Sequence, residues 1–157
     1  DHIQYLQDFI YYYPLIKIMG HHQPLKKMGQ AYKGLEHHEN ISLGKVMLTS
    51  IHTPGHYSDS ICIWNIKSKS LFTGDTMFVG RTGRTVSENS NIKDLYNSVY
   101  SRLLTLPEET LIYPGHHYGF LKEITIKENK KLSNFFQCNG LDEFKNIMSS
   151  FEKNRRG

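Results

Sequence analysis

Leu71-Phe72-Thr73-Gly74-Asp75 is an apolar run that ends in a glycine turn and a carboxylate. Glycine permits a sharp bend, so the side chain after it leaves the strand end instead of continuing along it. The same design recurs on both sides of this stretch, upstream as Thr53-Pro54-Gly55-His56 and downstream as Tyr113-Pro114-Gly115-His116. Histidine nitrogen and aspartate oxygen are the donors that zinc, iron and manganese accept. Taken alone, each of these segments reads as a turn. Together with Asp1-His2 at the head of a helix, they place potential ligands at successive element ends and point to one shared metal site.

The flanking pattern supplies the frame. Ile3, Leu6, Phe9 and Ile10 repeat at helical spacing as far as Pro14. Leu15 to Met19 reads as a short strand, and Pro24 can open a helix through Leu25 and Met28 that ends near Gly34. From Ile41 the pattern alternates: Ile41 and Leu43, then Gly44, then Val46 and Leu48. Ile61 to Ile66 is a strand, Lys67 to Ser70 its turn and Leu71 to Thr73 its partner. Beyond these, Ile92, Leu95, Tyr96, Val99 and Leu103 form one apolar helical face, with Asn91 placed to cap it. Thr110 to Tyr113 is another strand. Thr125 and Glu128 match a capping box, and Leu141, Phe144, Met148 and Phe151 define a last amphipathic helix. Strands flanked by helices in this order predict a layered α/β domain spanning residues 1–157.

Composition narrows the functional classes. The 157 residues suffice for one domain with its own core, and 38% are hydrophobic. No apolar run is long enough for a membrane span. The net charge of +4 is scattered apart from Lys130-Lys131 and Arg155-Arg156. No basic stripe interleaved with aromatics marks a nucleic-acid surface, whereas a mild positive field suits a small anionic substrate. Cys62 and Cys138 form no disulfide framework, and Cys62 reads as a small core residue; a reducing, cytoplasmic setting is expected. His21-His22 and His37-His38 read as surface residues in polar loops, and His52 as an ordinary strand residue. Because the chain opens on Asp1 and not on Met, its start reads as a cut.

The order of the four ligand-bearing motifs resembles the metallo-β-lactamase superfamily, and within it the branch of glyoxalase II and the persulfide dioxygenases. Phe72-Thr73-Gly74-Asp75-Thr76-Met77-Phe78-Val79-Gly80-Arg81-Thr82-Gly83-Arg84-Thr85 is close to that branch's signature block. So are Leu95-Tyr96-Asn97-Ser98-Val99, Thr105-Leu106-Pro107 and Leu111-Ile112-Tyr113-Pro114-Gly115-His116. The ending Asp142-Glu143-Phe144-Lys145-Asn146-Ile147-Met148 is similar to the dioxygenase side. The resemblance runs from Asp1 to about Met148. It implies an αββα sandwich whose N-terminal part is missing, including two histidines of a His-x-His-x-Asp-His motif that would stand directly before Asp1.

Carried over residue by residue, the resemblance implies two ligand sets. In the two-metal, zinc-type hydrolases the missing histidines and His56 hold one metal, Asp1, His2 and His116 hold the other, and Asp75 bridges. Asp1 there also orients the attacking hydroxide. In the persulfide dioxygenases a single Fe(II) takes the first missing histidine, His56 and Asp75. Arg84 matches an arginine that contacts glutathione, and Tyr118 falls in the substrate-side loop; a guanidinium fork suits carboxylates. Two departures stand out: His117 replaces an aspartate, and Ser133-Asn134-Phe135-Phe136 lacks the usual basic residue. The implied function is a metal-dependent enzyme on small thiol- or glutathione-linked substrates. A persulfide dioxygenase is the first reading and a thioester hydrolase the alternative, with a homodimer among the assemblies open to it. A non-catalytic, metal-poor scaffold is the reading from another class.

Overall fold

The computed structural model describes residues 3–26, 32–118 and 121–154. Asp1 and His2 lie outside these residues, so their expected role as ligands has no structural counterpart here.

A six-stranded mixed sheet organises the chain, in the order β10-β9-β6-β5-β4-β3. Three of these strands form a meander: β4 (Val46–His52), β5 (Ile61–Asn65) and β6 (Ser70–Gly74). They pair antiparallel, with Ile51 opposite Cys62 and Ile63 opposite Phe72. β3 (Asn40–Leu43) adds to one edge. At the other edge β9 (Leu111–Pro114) lies parallel to β6, and β10 (Ile124–Thr125) pairs outside it. Alternation along β6 sends Leu71 and Thr73 inward and Phe72 to solvent.

A parallel pair requires a crossover. It is made by α2 (Ile92–Asn97), which continues as a π-helical stretch over Ser98–Leu103. Asn91 caps it as expected, its carboxamide oxygen accepting from Lys93 N–H at 2.9 Å and Asp94 N–H at 3.1 Å. Leu95, Val99 and Leu103 are fully buried along one face. They meet Ile51, Cys62, Leu71 and Ile112 of the sheet, with Phe144 and Met148 of α4 (Leu141–Lys153) closing the core. α3 (Ile126–Leu132) opens on the anticipated capping box between Thr125 and Glu128. Cys62 is fully buried, as read from its apolar run.

The expected first helix forms as α1 (Leu6–Tyr12), with none of its residues buried. The N-terminal third otherwise differs from the sequence expectation in two ways. The first strand, β1, covers Ile18–His21 and not Leu15 to Met19. The helix expected from Pro24 to Gly34 is absent over the described part: residues 24–26 form no helix, and Tyr32–Leu35 is β2, parallel to β1. The tertiary partner decides the matter. Leu35 is buried, Tyr32 donates its hydroxyl to the His21 carbonyl at 2.5 Å, and Leu25 N–H is taken by the Asp59 carboxylate at 2.9 Å. Local helix propensity is too weak to resist such pairing.

Histidines fare differently from expectation as well. His22, His37 and His38 are on the surface, but His21 is buried and stacks on His52, ring centroids 4.0 Å apart. His52 is therefore part of a histidine group, and its backbone N–H donates to His37 Nδ1 at 3.1 Å. Arg102 donates to the His52 carbonyl from the crossover helix.

Candidate metal centre

His56, Asp75 and His116 come together where β4, β6 and β9 end. Asp75 Oδ2 lies 3.5 Å from His56 Nε2 and 3.5 Å from His116 Nε2. All three side chains keep partial access to solvent, at 21%, 17% and 29% exposure, as a site that must receive a substrate requires. The loops carrying them are tied to one another: Gly115 N–H donates to the Gly74 carbonyl at 2.9 Å. Asn91 N–H donates to the Gly55 carbonyl at 2.8 Å, and Ser98 Oγ donates to the Pro54 carbonyl at 2.7 Å. The His56 turn is thereby fastened to the N-terminus of the crossover.

Two glycines are required for this approach. Gly55 has φ of +142°, and a Cβ there would come within 2.3 Å of the Leu95 backbone. Gly83 passes directly over the site: its Cβ would stand 2.0 Å from the Asp75 carbonyl and 3.0 Å from His56 Cβ. No side chain fits in either place.

Beneath the ligand loops lies a layer of buried threonines. The Thr53 and Thr76 hydroxyls are 3.0 Å apart, and Thr73 Oγ1 donates to the Met77 carbonyl at 2.6 Å. Thr53 Oγ1 is also 3.4 Å from the Cys62 sulfur, whose thiol burial pushes up to about 11. That thiol stays protonated and is a packing group, neither ligand nor nucleophile. The layer was not singled out from sequence, although a threonine two or three residues before each of His56 and Asp75 was its visible trace.

His56 Nδ1 stands 2.8 Å from the Arg84 carbonyl. A carbonyl only accepts, so Nδ1 carries a proton and Nε2 is the nitrogen turned toward Asp75. Two electron-pair donors facing each other are stable only with a cation between them or a proton on the ring. A charged N–H···O contact closes to about 2.7–2.9 Å. By contrast, two ligands each about 2.1 Å from one tetrahedral metal lie about 3.4 Å apart. The observed 3.5 Å separations fit the second arrangement. Among the described residues no group of three or more His, Cys, Asp or Glu side chains is placed to hold a metal ion by itself. The geometry is that of a shared carboxylate with a histidine on each side.

Arg84 and Tyr118 adjoin this centre in different ways. Arg84 contributes its backbone carbonyl to His56, while its side chain is exposed. Tyr118 packs its ring 5.2 Å from that of His116 and 5.1 Å from that of Phe78. Arg81, which sequence reading passed over inside the signature block, stacks on Tyr118.

The family model described as "Metallo-beta-lactamase superfamily" matches residues 10–116. The hydroxyacylglutathione hydrolase of Dictyostelium discoideum is 36% identical over 120 residues, which is 68% of this chain and 44% of that protein. The mitochondrial persulfide dioxygenase ETHE1 of Homo sapiens is 32% identical over 104 residues, 66% of this chain and 41% of its own length. The crystal structure of ETHE1 from Myxococcus xanthus superposes with a TM-score of 0.80 at 30% identity, covering 92% of this chain and 62% of that one. The chain spans about half or less of the length of the curated relatives it matches. No described helix is long and apolar enough to cross a membrane.

Proposed function

Since the chain belongs to the metallo-β-lactamase superfamily, we propose that it acts in a metal-dependent enzyme on glutathione- or other thiol-linked substrates, of the persulfide dioxygenase type. The observation that carries this reading is the Asp75 carboxylate held 3.5 Å from His56 Nε2, with the other nitrogen of that ring fixed by the Arg84 carbonyl. Such a carbonyl contact sets the tautomer and raises ligand basicity. His56 and Asp75 would supply one histidine and the carboxylate of a two-histidine, one-carboxylate face, an arrangement that leaves coordination positions open. A bound iron would supply oxygen chemistry there, and bound zinc would supply Lewis acidity. The chain's own part is to hold donors, orient substrate and shape access. Tyr118 offers a ring face beside His116, and the Arg84 side chain is placed on the solvent side for an anionic substrate group.

Support for the dioxygenase type comes from the block through Arg84, the helix through Leu95 to Val99 and the ending through Phe144 to Met148. The likeness to the Myxococcus xanthus structure agrees with it. A second reading, thioester hydrolysis with two metals, is favoured by one observation: Asp75 Oδ2 approaches His116 as closely as it does His56. A bridging carboxylate would be placed in that way. The deciding experiment is made on the polypeptide encoded by the complete gene. Metal analysis is expected to give one iron per chain. Glutathione persulfide, dioxygen and water should yield glutathione, sulfite and two protons, with little cleavage of S-lactoylglutathione. Two zinc ions per chain with thioester cleavage and no oxygen uptake would transfer the assignment to the hydrolase.

A further inference from the structure

Four polar side chains meet beneath the metal centre. Thr53 stands between the end of β4 and His56, Cys62 lies on β5, Thr73 on β6, and Thr76 directly after Asp75. None is more than 1% exposed. The Cys62 thiol donates to the Thr73 carbonyl at 3.6 Å, which leaves its sulfur to accept from Thr53 Oγ1 at 3.4 Å. With the Thr53 proton so engaged, the Thr76 hydroxyl donates across 3.0 Å to Thr53 Oγ1. The bonds therefore run in one direction, from Thr76 through Thr53 and Cys62 to the Thr73 carbonyl.

Backbone bonds carry this chain outward to the ligand loops. Thr53 N–H donates to the Ser60 carbonyl at 2.8 Å, and Thr76 N–H to the Thr73 carbonyl at 3.0 Å. The Thr76 carbonyl accepts from Gly83 N–H at 3.3 Å, in the segment that passes over His56. Thr73 Oγ1 reaches the Met77 carbonyl in β7 (Met77–Phe78), whose hairpin partner β8 (Arg81–Thr82) leads into Gly83. A buried hydroxyl costs desolvation that its partners must offset. Valine has the same shape and would fill either place without that cost. What the hydroxyl adds is direction: apolar contact is non-directional, whereas a hydrogen bond has a set length and angle.

We infer that Thr53 and Thr76 are positioning residues for the metal centre: the bond between their hydroxyls fixes the His56 loop against the Asp75 loop, and so holds His56 Nε2 and Asp75 Oδ2 at the spacing a shared metal ion requires. This rests on the metal-centre reading given above and is common to both chemistries.

Zinc affinity and fold stability, measured separately on the full-length protein, test the assignment. Chelator competition gives the first and urea denaturation of the metal-free protein the second. The variants are Thr53→Val, Thr76→Val, their combination and Thr53→Ser. Both single variants and the double should lose zinc affinity by the same roughly 10–100-fold, the scale on which a ligand's support acts, because all three delete one bond. A single valine leaves the other hydroxyl short of a partner and lowers stability. The double variant removes both hydroxyls and should regain stability without regaining affinity. Thr53→Ser keeps the hydroxyl and should keep wild-type affinity. Affinity that recovers with stability in the double variant, losses that add, or a serine as poor as valine would make the pair a packing feature and overturn the inference. Amide hydrogen exchange of the metal-free protein separates this outcome from the reading of the site. The Gly83 and Asn91 amides, bonded to the Thr76 and Gly55 carbonyls of the two loops, should exchange faster in the double variant. If wild type holds no zinc and these amides respond, the metal-centre reading fails and the positioning role stands; if they do not respond, both fail. If wild type and double variant bind zinc equally, the positioning role alone fails.

Discussion

Asn129 and Phe78, fifty-one residues apart, are joined by a buried hydrogen bond of 2.9 Å from the carboxamide to the carbonyl, and the same side chain accepts from Gly80 two residues on. One amide thus completes both polar requirements of the β7–β8 turn. Replacing it by alanine leaves an acceptor and a donor unmatched at the hairpin. Asn129→Ala is expected to lower unfolding free energy by about 2–4 kcal/mol, measured by urea denaturation. A loss under half a kilocalorie would show that the turn holds itself.

Asp75 is the vertex shared by both histidines, so Asp75→Ala should abolish metal retention and with it any activity of either proposed type. Bound metal measured after gel filtration is the readout. Retention of a full complement by Asp75→Ala would sink the metal-centre assignment. Folding should survive the change, because the carboxylate retains solvent access and contributes nothing to the apolar core.

Gly83 and Gly44 make a matched pair for a backbone test. A Cβ at Gly83 collides with the Asp75 carbonyl, whereas one at Gly44 meets nothing within 4 Å, although its φ is +58°. Gly83→Ala should displace the loop that orients His56 and reduce metal affinity by roughly 10–100-fold, the usual scale for disturbing a ligand's supporting shell. Gly44→Ala should cost about 1 kcal/mol of stability and leave metal affinity alone. Equal metal affinity in the two variants would refute the close-approach argument.

The histidine group predicts how stability responds to acid. Burial holds His52 below the ordinary histidine value, against an opposing pull from its bond to the Ser58 carbonyl, and burial also lowers His37, helped by the charges of His38 and Arg102. An unfolded histidine takes a proton near pH 6.5, while these two accept theirs only at lower pH in the fold. Between those values the unfolded chain binds more protons, so stability falls as pH drops below about 6.5. The loss is complete once pH is below the folded values. Carboxylates such as Glu39, held down by Lys33, act in a separate window, below the ordinary glutamate value. His52→Phe keeps a ring against His21 and removes one titration, so its denaturation midpoint should vary less between pH 7.5 and 5.5. An unaltered pH slope in that variant would count against this account.

The convergence of the candidate site was legible from three short stretches because each carries its own geometry. A strand, a glycine and a possible ligand suffice to aim His56, Asp75 and His116, and the parallel pairing of β6 with β9 brings the last two side by side. Caps at Asn91 and Thr125 were readable for the same reason, since donor and acceptor lie within three residues. What escaped notice depends on distant partners. Residues 24–34 carry a helix-like pattern, but Tyr32–Leu35 is drawn into pairing with Ile18–His21. His21 looks polar and exposed until His52 covers it. Arg81 is one of two arginines in a glycine-rich block, and nothing local distinguishes it. Only the positions of Tyr118 and Phe151 do.

The parallel pairing of β6 with β9 also sets when the site comes into being. The meander β4–β5–β6 closes through local contacts, but Thr73 and Tyr113 are 40 residues apart and meet only after the crossover helix has formed and docked. Local pairings form early and distant ones late, and the extra entropy of closing the longer loop is small, so the delay is one of time more than of energy. His56 and Asp75 lie on the meander side of the crossover and His116 on its far side. A metal ion held between Asp75 and His116 would clasp the two ends of that crossover, so that whatever binds there also tightens the docking of β9 on β6.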